Sequence, residues 1–177
     1  MIGVLVSGEG TNLQALLDEG LPVAAVASNR AEARALARAH AAGVPACAFP
    51  LAAYGSREER DLAIADWLAE HEIDLVVLAG YMHLLTRAFL DRFPERIVNV
   101  HPSLLPAFPG AHPLEDALAA GVETTGVTVH LVDDGVDTGP VLRQEPVTVR
   151  PPETLLERIH AVEHRLLPEV VRELCAS

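Results

Sequence analysis

Ile2-Gly3-Val4-Leu5-Val6-Ser7-Gly8-Glu9-Gly10-Thr11-Asn12-Leu13 is the stretch whose reading decides the fold. Ile2 to Val6 is a short apolar run, the composition of a strand buried on both faces of a parallel sheet. Two glycines interrupt it, and a helical pattern follows from Asn12 to Glu19. Strand, Gly-rich turn and helix together begin a βα unit. The alternation recurs. Val23 to Ser28 reads as a strand, Ala31 to Ala42 as a helix ended by Gly43, and Ala46 to Phe49 as a short strand. Ser56 to Glu70 is the clearest helix: Ser56 and Glu59 form a capping box, and Leu62, Ile64, Ala65, Leu68 and Ala69 supply an apolar face. Leu75 to Ala79 and Ile97 to Val100 are buried strands on either side of a short helix near Thr86 to Arg92. Leu114 to Ala120 is helical, Thr125 to Leu131 and Val141 to Val149 are strands, and Glu153 to Leu174 is a last helix with a bend expected at Pro168. Repeated strand–helix units predict an α/β three-layer sandwich, a mostly parallel twisted sheet with helices on both faces. The last strands, with no helix between them, predict an antiparallel addition near the C-terminal end. With 177 residues and no linker, repeat or low-complexity tract, residues 1–177 read as a single domain.

Composition excludes several classes. Half of the residues are apolar (50%), yet no run approaches the roughly eighteen needed to span a bilayer, so no membrane partner is expected. Ile2 to Val6 is too short for the core of a signal peptide and has no basic segment ahead of it; the expected compartment is the cytoplasm. Cys47 and Cys175 lack CxxC spacing and fit unpaired thiols in a reducing compartment. A net charge of −12 argues against nucleic acid, whose recognition depends on cations meeting phosphates. All 13 basic residues are arginine, and the absence of lysine excludes a lysine Schiff base, a pyridoxal phosphate site and a Walker P-loop.

Chemistry concentrates in Asn99-Val100-His101-Pro102-Ser103-Leu104-Leu105-Pro106. Residues two apart on a strand share a face, so Asn99 and His101 project together. Pro102 holds His101 extended, and the connection up to Pro113 is too proline-rich for a helix or an inner strand. An amide beside an imidazole at the end of a strand suits polarising a carbonyl; the plain alternative is that both satisfy backbone groups. The loop Ser7 to Leu13 offers glycines and helix amides to an anion. Leu13 stands where a dinucleotide fingerprint wants its third glycine, so a single phosphate fits better, and a tight turn is the plain alternative. Thr128 to Pro140 ends a strand in an acidic loop, where Asp137 is fixed between an apolar residue and a Thr-Gly-Pro turn. Folded against His101, its carboxylate would favour the imidazolium. Amide, imidazole and carboxylate would then form a site for acyl transfer. Trp67 reads as core or near-core, and His40 and His71 as surface residues beside helix ends. His112 and His130 each either orient this trio or complete a hydrogen-bond network.

These motifs together resemble the phosphoribosylglycinamide formyltransferases, a branch of the folate-dependent formyltransferase superfamily, and the resemblance runs along essentially the whole chain. Ser7 to Gln14 is similar to the family's phosphate loop and Leu78-Ala79-Gly80-Tyr81-Met82 to its folate-contact segment. Asn99 to Pro106 with Pro109-Gly110-Ala111-His112 is similar to its catalytic stretch, and Gly126 to Pro140 to its acidic folate loop. The resemblance implies the formyltransferase fold with a Rossmann-like N-terminal half. It implies transfer of a formyl group from 10-formyltetrahydrofolate, as cosubstrate, to the amine of glycinamide ribonucleotide in purine biosynthesis, by a monomer or homodimer and with no metal. It implies Asn99, His101 and Asp137 as catalytic residues, and Gly10, Thr11, Asn12 and Glu163 as ribotide contacts. On the folate side it implies Arg57, Met82, His83, Leu84, Leu85 and Asn99, with Asp133, Asp134, Gly135, Val136 and Asp137. His83 stands where members often have Arg, and the sequence ends soon after its last helix, without the longer tail some members carry.

Two alternatives share this scaffold, a methionyl-tRNA formyltransferase and a formyltetrahydrofolate deformylase. The first would need a nucleic-acid-binding extension and a positive surface, and has an Arg-Gly continuation where this chain has Pro109-Gly110-Ala111-His112. The second usually carries an additional regulatory domain. From another class, His160-Ala161-Val162-Glu163-His164 fits the inverted zinc-hydrolase pattern, but three fixed positions arise readily by chance.

Overall fold

The computed structural model describes residues 1–177, which divide into two compact units, residues 1–98 and 99–177. In the first unit, β1 (Ile2–Val6), β2 (Val23–Ser28), β3 (Ala46–Ala48) and β4 (Leu75–Leu78) alternate with α1 (Thr11–Asp18), α2 (Arg34–Ala41) and α3 (Arg57–Glu70); a short α4 (Arg87–Leu90) follows β4. β1 pairs in parallel with both β2 and β4, and β2 with β3. All residues of β1 and β4 are buried, which explains why their sequences are continuous apolar runs rather than alternating ones.

β5 (Ile97–His101) begins in the first unit and ends in the second. The second unit adds α5 (Pro113–Ala120), β6 (Thr124–Leu131), β7 (Val141–Thr148) and α6 (Leu155–Ala176). β6 and β7 are antiparallel, with Val127 opposite Glu145 and Val129 opposite Arg143, and α6 packs on both. The strand order is β3-β2-β1-β4-β5-β6-β7. The fold is therefore α/β, a mixed, mostly parallel sheet with an antiparallel C-terminal pair and helices around it. Its first half has the strand order of a dinucleotide-binding half-sheet, reversing direction between β1 and β4. In open parallel sheets, ligands bind beyond the strand ends at such a reversal.

Several expected boundaries move. The helix expected from Ala31 begins at Arg34, because Ala33 is extended (φ −60°, ψ 124°). The expected closing helix is preceded by a separate 3-10 turn, Pro152–Thr154, and Pro168 lies inside the unbroken α6. Only half of the capping box forms: Ser56 Oγ accepts from Glu59 N–H (3.1 Å), while Glu59 Oε2 accepts from Gly55 N–H (2.8 Å) rather than from Ser56. On α3, Ala69 is exposed and Leu62 half-buried, whereas Arg60 and Asp61 have no exposed surface.

Candidate active site

Period-two geometry puts Asn99 and His101 on one face of β5, and in the second unit that face meets Asp137. His101 Nδ1 lies 3.5 Å from Asp137 Oδ2, and the Asn99 amide donates toward Asp137 Oδ1 at 3.4 Å. Asp137 stands in the left-handed region (φ 54°), unusual for a residue with a side chain and tolerated best by Asn and Asp. Its loop is fixed nearby. Gly139 passes so close to β6 that a Cβ there would sit 1.8 Å from the Leu131 carbonyl oxygen, so only glycine fits. Asp133 Oδ1 braces the same loop, accepting from Gly135 N–H (3.0 Å) and the Thr138 hydroxyl (2.7 Å).

The proline-rich connection after β5 clamps both partners through its backbone. His101 Nε2–H donates to the Phe108 carbonyl (2.8 Å), and Gly110 N–H donates to Asp137 Oδ2 (2.8 Å). The connection is itself pinned: Thr128 Oγ1 donates to Ser103 O (2.7 Å), and Gln144 Nε2 donates to Leu105 O (2.7 Å). Both neighbours of the His101 ring are acceptors: Nε2–H is held by the Phe108 carbonyl, while Nδ1 faces the Asp137 carboxylate at the longer distance of 3.5 Å.

His130 completes the group. It follows Thr128 on the same face of β6, and its Nδ1–H donates to Leu131 O (2.8 Å). Its Nε2 therefore faces Asn99 Nδ2 (3.3 Å) and Asp137 Oδ1 (3.6 Å). Neutral, it accepts from the amide; protonated, it donates to the carboxylate. Burial pushes the Asp137 carboxyl up, but the His130 ring, the Gly110 N–H and His101 outweigh it and hold the group below its ordinary value. The other histidine singled out by sequence, His112, stands exposed at the start of α5 and joins none of these contacts.

In the first unit, the loops after β1 and β4 meet at the reversal point. Ser7 N–H donates to Gly80 O (3.2 Å), and Met82 N–H donates to Ser7 Oγ (2.9 Å). Gly10, at φ 75°, starts α1, and a Cβ there would lie 2.5 Å from Ala35 Cβ. No side chain caps α1 at Gly10, and the first turn of a helix is where backbone amides can meet an anion. Beyond β4, Met82 and Leu84 are exposed (63% and 55%), Leu85 is half-buried, and the exposed Arg57 donates to Leu84 O. Beneath this segment runs a network that sequence reasoning missed. The buried Arg60 is 2.8 Å from Asp61 Oδ1 and 2.6 Å from His83 Nδ1, and Asp61 Oδ2 accepts from Thr86 N–H (2.8 Å). Two adjacent charges on a helix read as its wet face, so nothing in the local pattern marked them as buried.

On α6, Glu163 is buried (5% exposed), and the rings of His160 and His164 stack with centroids 5.7 Å apart. The zinc pattern does not form: no three His, Cys, Asp or Glu side chains converge to hold a metal ion. Burial pushes both imidazoles below their ordinary value, and His160 adds to the effect at His164.

Comparison with known proteins is consistent along the whole chain. The formyl transferase family matches residues 1–171. The phosphoribosylglycinamide formyltransferase of Mycobacterium tuberculosis is 50% identical over 97% of this chain and 83% of its own. The crystal structure of glycinamide ribonucleotide transformylase 1 from Symbiobacterium toebii superposes with a TM-score of 0.94 at 51% identity, covering 97% of this chain and 85% of that one. A trifunctional purine biosynthetic protein, adenosine-3 of Chironomus tentans, is 39% identical over 97% of this chain, which spans 13% of that longer protein. The chain belongs to the formyl transferase family, in its phosphoribosylglycinamide formyltransferase branch.

Proposed function

We propose that the chain transfers a formyl group from 10-formyltetrahydrofolate to the amine of glycinamide ribonucleotide, a step of purine biosynthesis. The amine nitrogen attacks the formyl carbon, giving a tetrahedral intermediate whose oxygen carries the charge. Asn99 Nδ2–H and the His101 ring are the donors for that oxygen, and preorganised donors of this kind supply much of the acceleration in acyl transfer. Asp137 orients His101 and keeps the protonated ring matched. The carbon–nitrogen bond to the folate then breaks, and the proton lost by the incoming amine passes to the departing folate nitrogen through water beside Asp137. In this reading the backbone amides at Gly10, Thr11 and Asn12 hold the ribotide phosphate, and Glu163 contacts the ribotide. Arg57, Met82, His83, Leu84, Leu85 and the loop from Asp133 to Asp137 serve the folate. Residues 1–177 act as one formyltransferase domain in the cytoplasm, as a monomer or homodimer, with small-molecule partners only and no metal.

The observation that carries this reading is one carboxylate, Asp137, within 3.5 Å of both an amide donor and an imidazole that the backbone fixes from behind. The test is a two-substrate assay with three acceptors: glycinamide ribonucleotide, methionyl-tRNA and water alone. Tetrahydrofolate should appear only with the ribotide. Formyl transfer to tRNA, or formate release without any acceptor, would hand the chain to one of its sister activities.

A further inference from the structure

The two ring nitrogens of His83 both face nitrogen atoms: Arg60 Nη1 at 2.6 Å from Nδ1 and Asn29 Nδ2 at 3.3 Å from Nε2. A neutral imidazole has one N–H and one acceptor, so it cannot accept from both. A guanidinium has donors only, so Arg60 must donate, and Nδ1 must be the bare nitrogen. Nε2 therefore carries the proton. The Asn29 amide is the member able to reverse, since its two ends have nearly the same shape. In the orientation seen, Asn29 Oδ1 accepts from the Ser7 hydroxyl at 2.6 Å; reversed, the amide offers Oδ1 to His83 Nε2–H and Nδ2 to Ser7 Oγ. Ser7 Oγ also accepts from Met82 N–H (2.9 Å). The hydrogens donated by Arg60, His83 and Asn29 then all point from α3 toward Ser7 in the loop after β1.

We propose that Arg60 is a positioning residue for the Met82–Leu85 segment, fixing His83 as the Nε2–H tautomer through a one-way relay, Arg60 to His83 to Asn29 to Ser7. Arg60 can serve as the fixed end because Asp61 holds it: Arg60 Nε and Nη2 donate to Asp61 Oδ1 at 3.1 and 2.8 Å, with neither residue exposed. The other Asp61 oxygen takes Thr86 N–H (2.8 Å), so α3 grips the segment at His83 and at its far end. On either side of the His83 grip, Met82 and Leu84 stand exposed. An imidazolium would put a second donor against Arg60 at 2.6 Å; burial, Arg60 and Arg57 all oppose it, and only Asp61 favours it. An arginine at position 83 has no acceptor to offer, so His83 and Arg60 belong together in this chain.

The inference rests on the reading of Met82–Leu85 as the folate-side segment, and its test separates the two. In full-length protein labelled with 15N-histidine, with His83 assigned by its loss in His83→Gln, Nδ1 should resonate as bare and Nε2 as protonated. That pattern should persist below the ordinary imidazole pKa, because burial, Arg60 and Arg57 all hold His83 below it. Protonation on Nδ1, or an imidazolium at neutral pH, overturns the relay. In kinetics, His83→Ala should raise KM for 10-formyltetrahydrofolate about five- to tenfold, with most of the change in that KM rather than in kcat or in KM for the ribotide. His83→Gln, which can accept from Arg60 and donate to Asn29, should recover most of it, and His83→Arg should not. Equal behaviour of the Gln and Arg variants would refute the positioning role. A protein with the expected tautomer but no formyl transfer would refute the functional reading, and the positioning role with it, while leaving the relay as a structural finding.

Discussion

The first unit buries a polar network around Arg60, and the second buries one around Asp137, and the two are built oppositely. Arg60 itself meets its side-chain partners closely, at 2.6 to 3.1 Å, with no exposed surface on Arg60 or Asp61. Around Asp137 the side chains stand 3.3 to 3.6 Å apart, and the short contacts, at 2.8 Å, come from backbone groups of residues 108, 110 and 131. A network that satisfies itself has no capacity left and fixes geometry. One held by the backbone, with long contacts between its functional atoms, keeps those atoms able to tighten onto a reacting group. On the proposed reading, the first network positions and the second carries the chemistry.

The largest expected effect strikes the first network. Asp61→Ala strips the buried Arg60 of its counter-charge and leaves Thr86 N–H without its acceptor, and breaking such a pair costs about 3–5 kcal/mol. Urea unfolding should register the loss. Arg60→Met combined with Asp61→Leu should recover a good part of it, because both buried charges are then gone. A loss below about 1 kcal/mol in the single variant would mean that the pair is not desolvated as described, since values that small belong to exposed pairs.

Asn99→Ala inverts the pattern. It removes a donor whose contacts are long, so unfolding should change little, while turnover should fall by roughly two to three orders of magnitude, as loss of one oxyanion donor does. Near-normal turnover, or a stability loss like that of Asp61→Ala, would erase the distinction between the networks.

How far the sequence reveals each network follows from what builds it. Strand periodicity is a strong signal, so β1, β4 and β5 are legible, and with them the shared face of Asn99 and His101. The same period would have favoured His130 over His112, since His130 lies two residues after the buried Thr128 of β6 and His112 sits in no strand. The Phe108 carbonyl and Gly110 amide leave no trace in residue identity, because every residue but proline has both groups. Arg60 and Asp61 are hidden for a different reason. Their burial depends on a loop closing over them whose contacting residues, His83 and Thr86, lie 23 and 25 positions further on, and a helix read alone assigns its charges to solvent. Boundaries such as that of α2 move by a turn because alanine-rich sequence marks no cap.

The smallest effect concerns pH, and it tests the sign of the Asp137 environment. The folded carboxyl lies below its ordinary value of 3.8, so its contribution to stability is fully present above that value and is lost as pH falls through the lower, folded one. His101 and His130 are the titrating groups that face it. The stability difference between the native chain and Asp137→Asn, followed by urea unfolding, should therefore not shrink until pH falls below about 4. If burial prevailed over the Gly110 amide and the two imidazoles, the difference would already be shrinking above pH 5. Asp137 would then be a protonated, self-satisfied member of the same kind as those around Arg60, and the contrast between the networks would fail where it matters most.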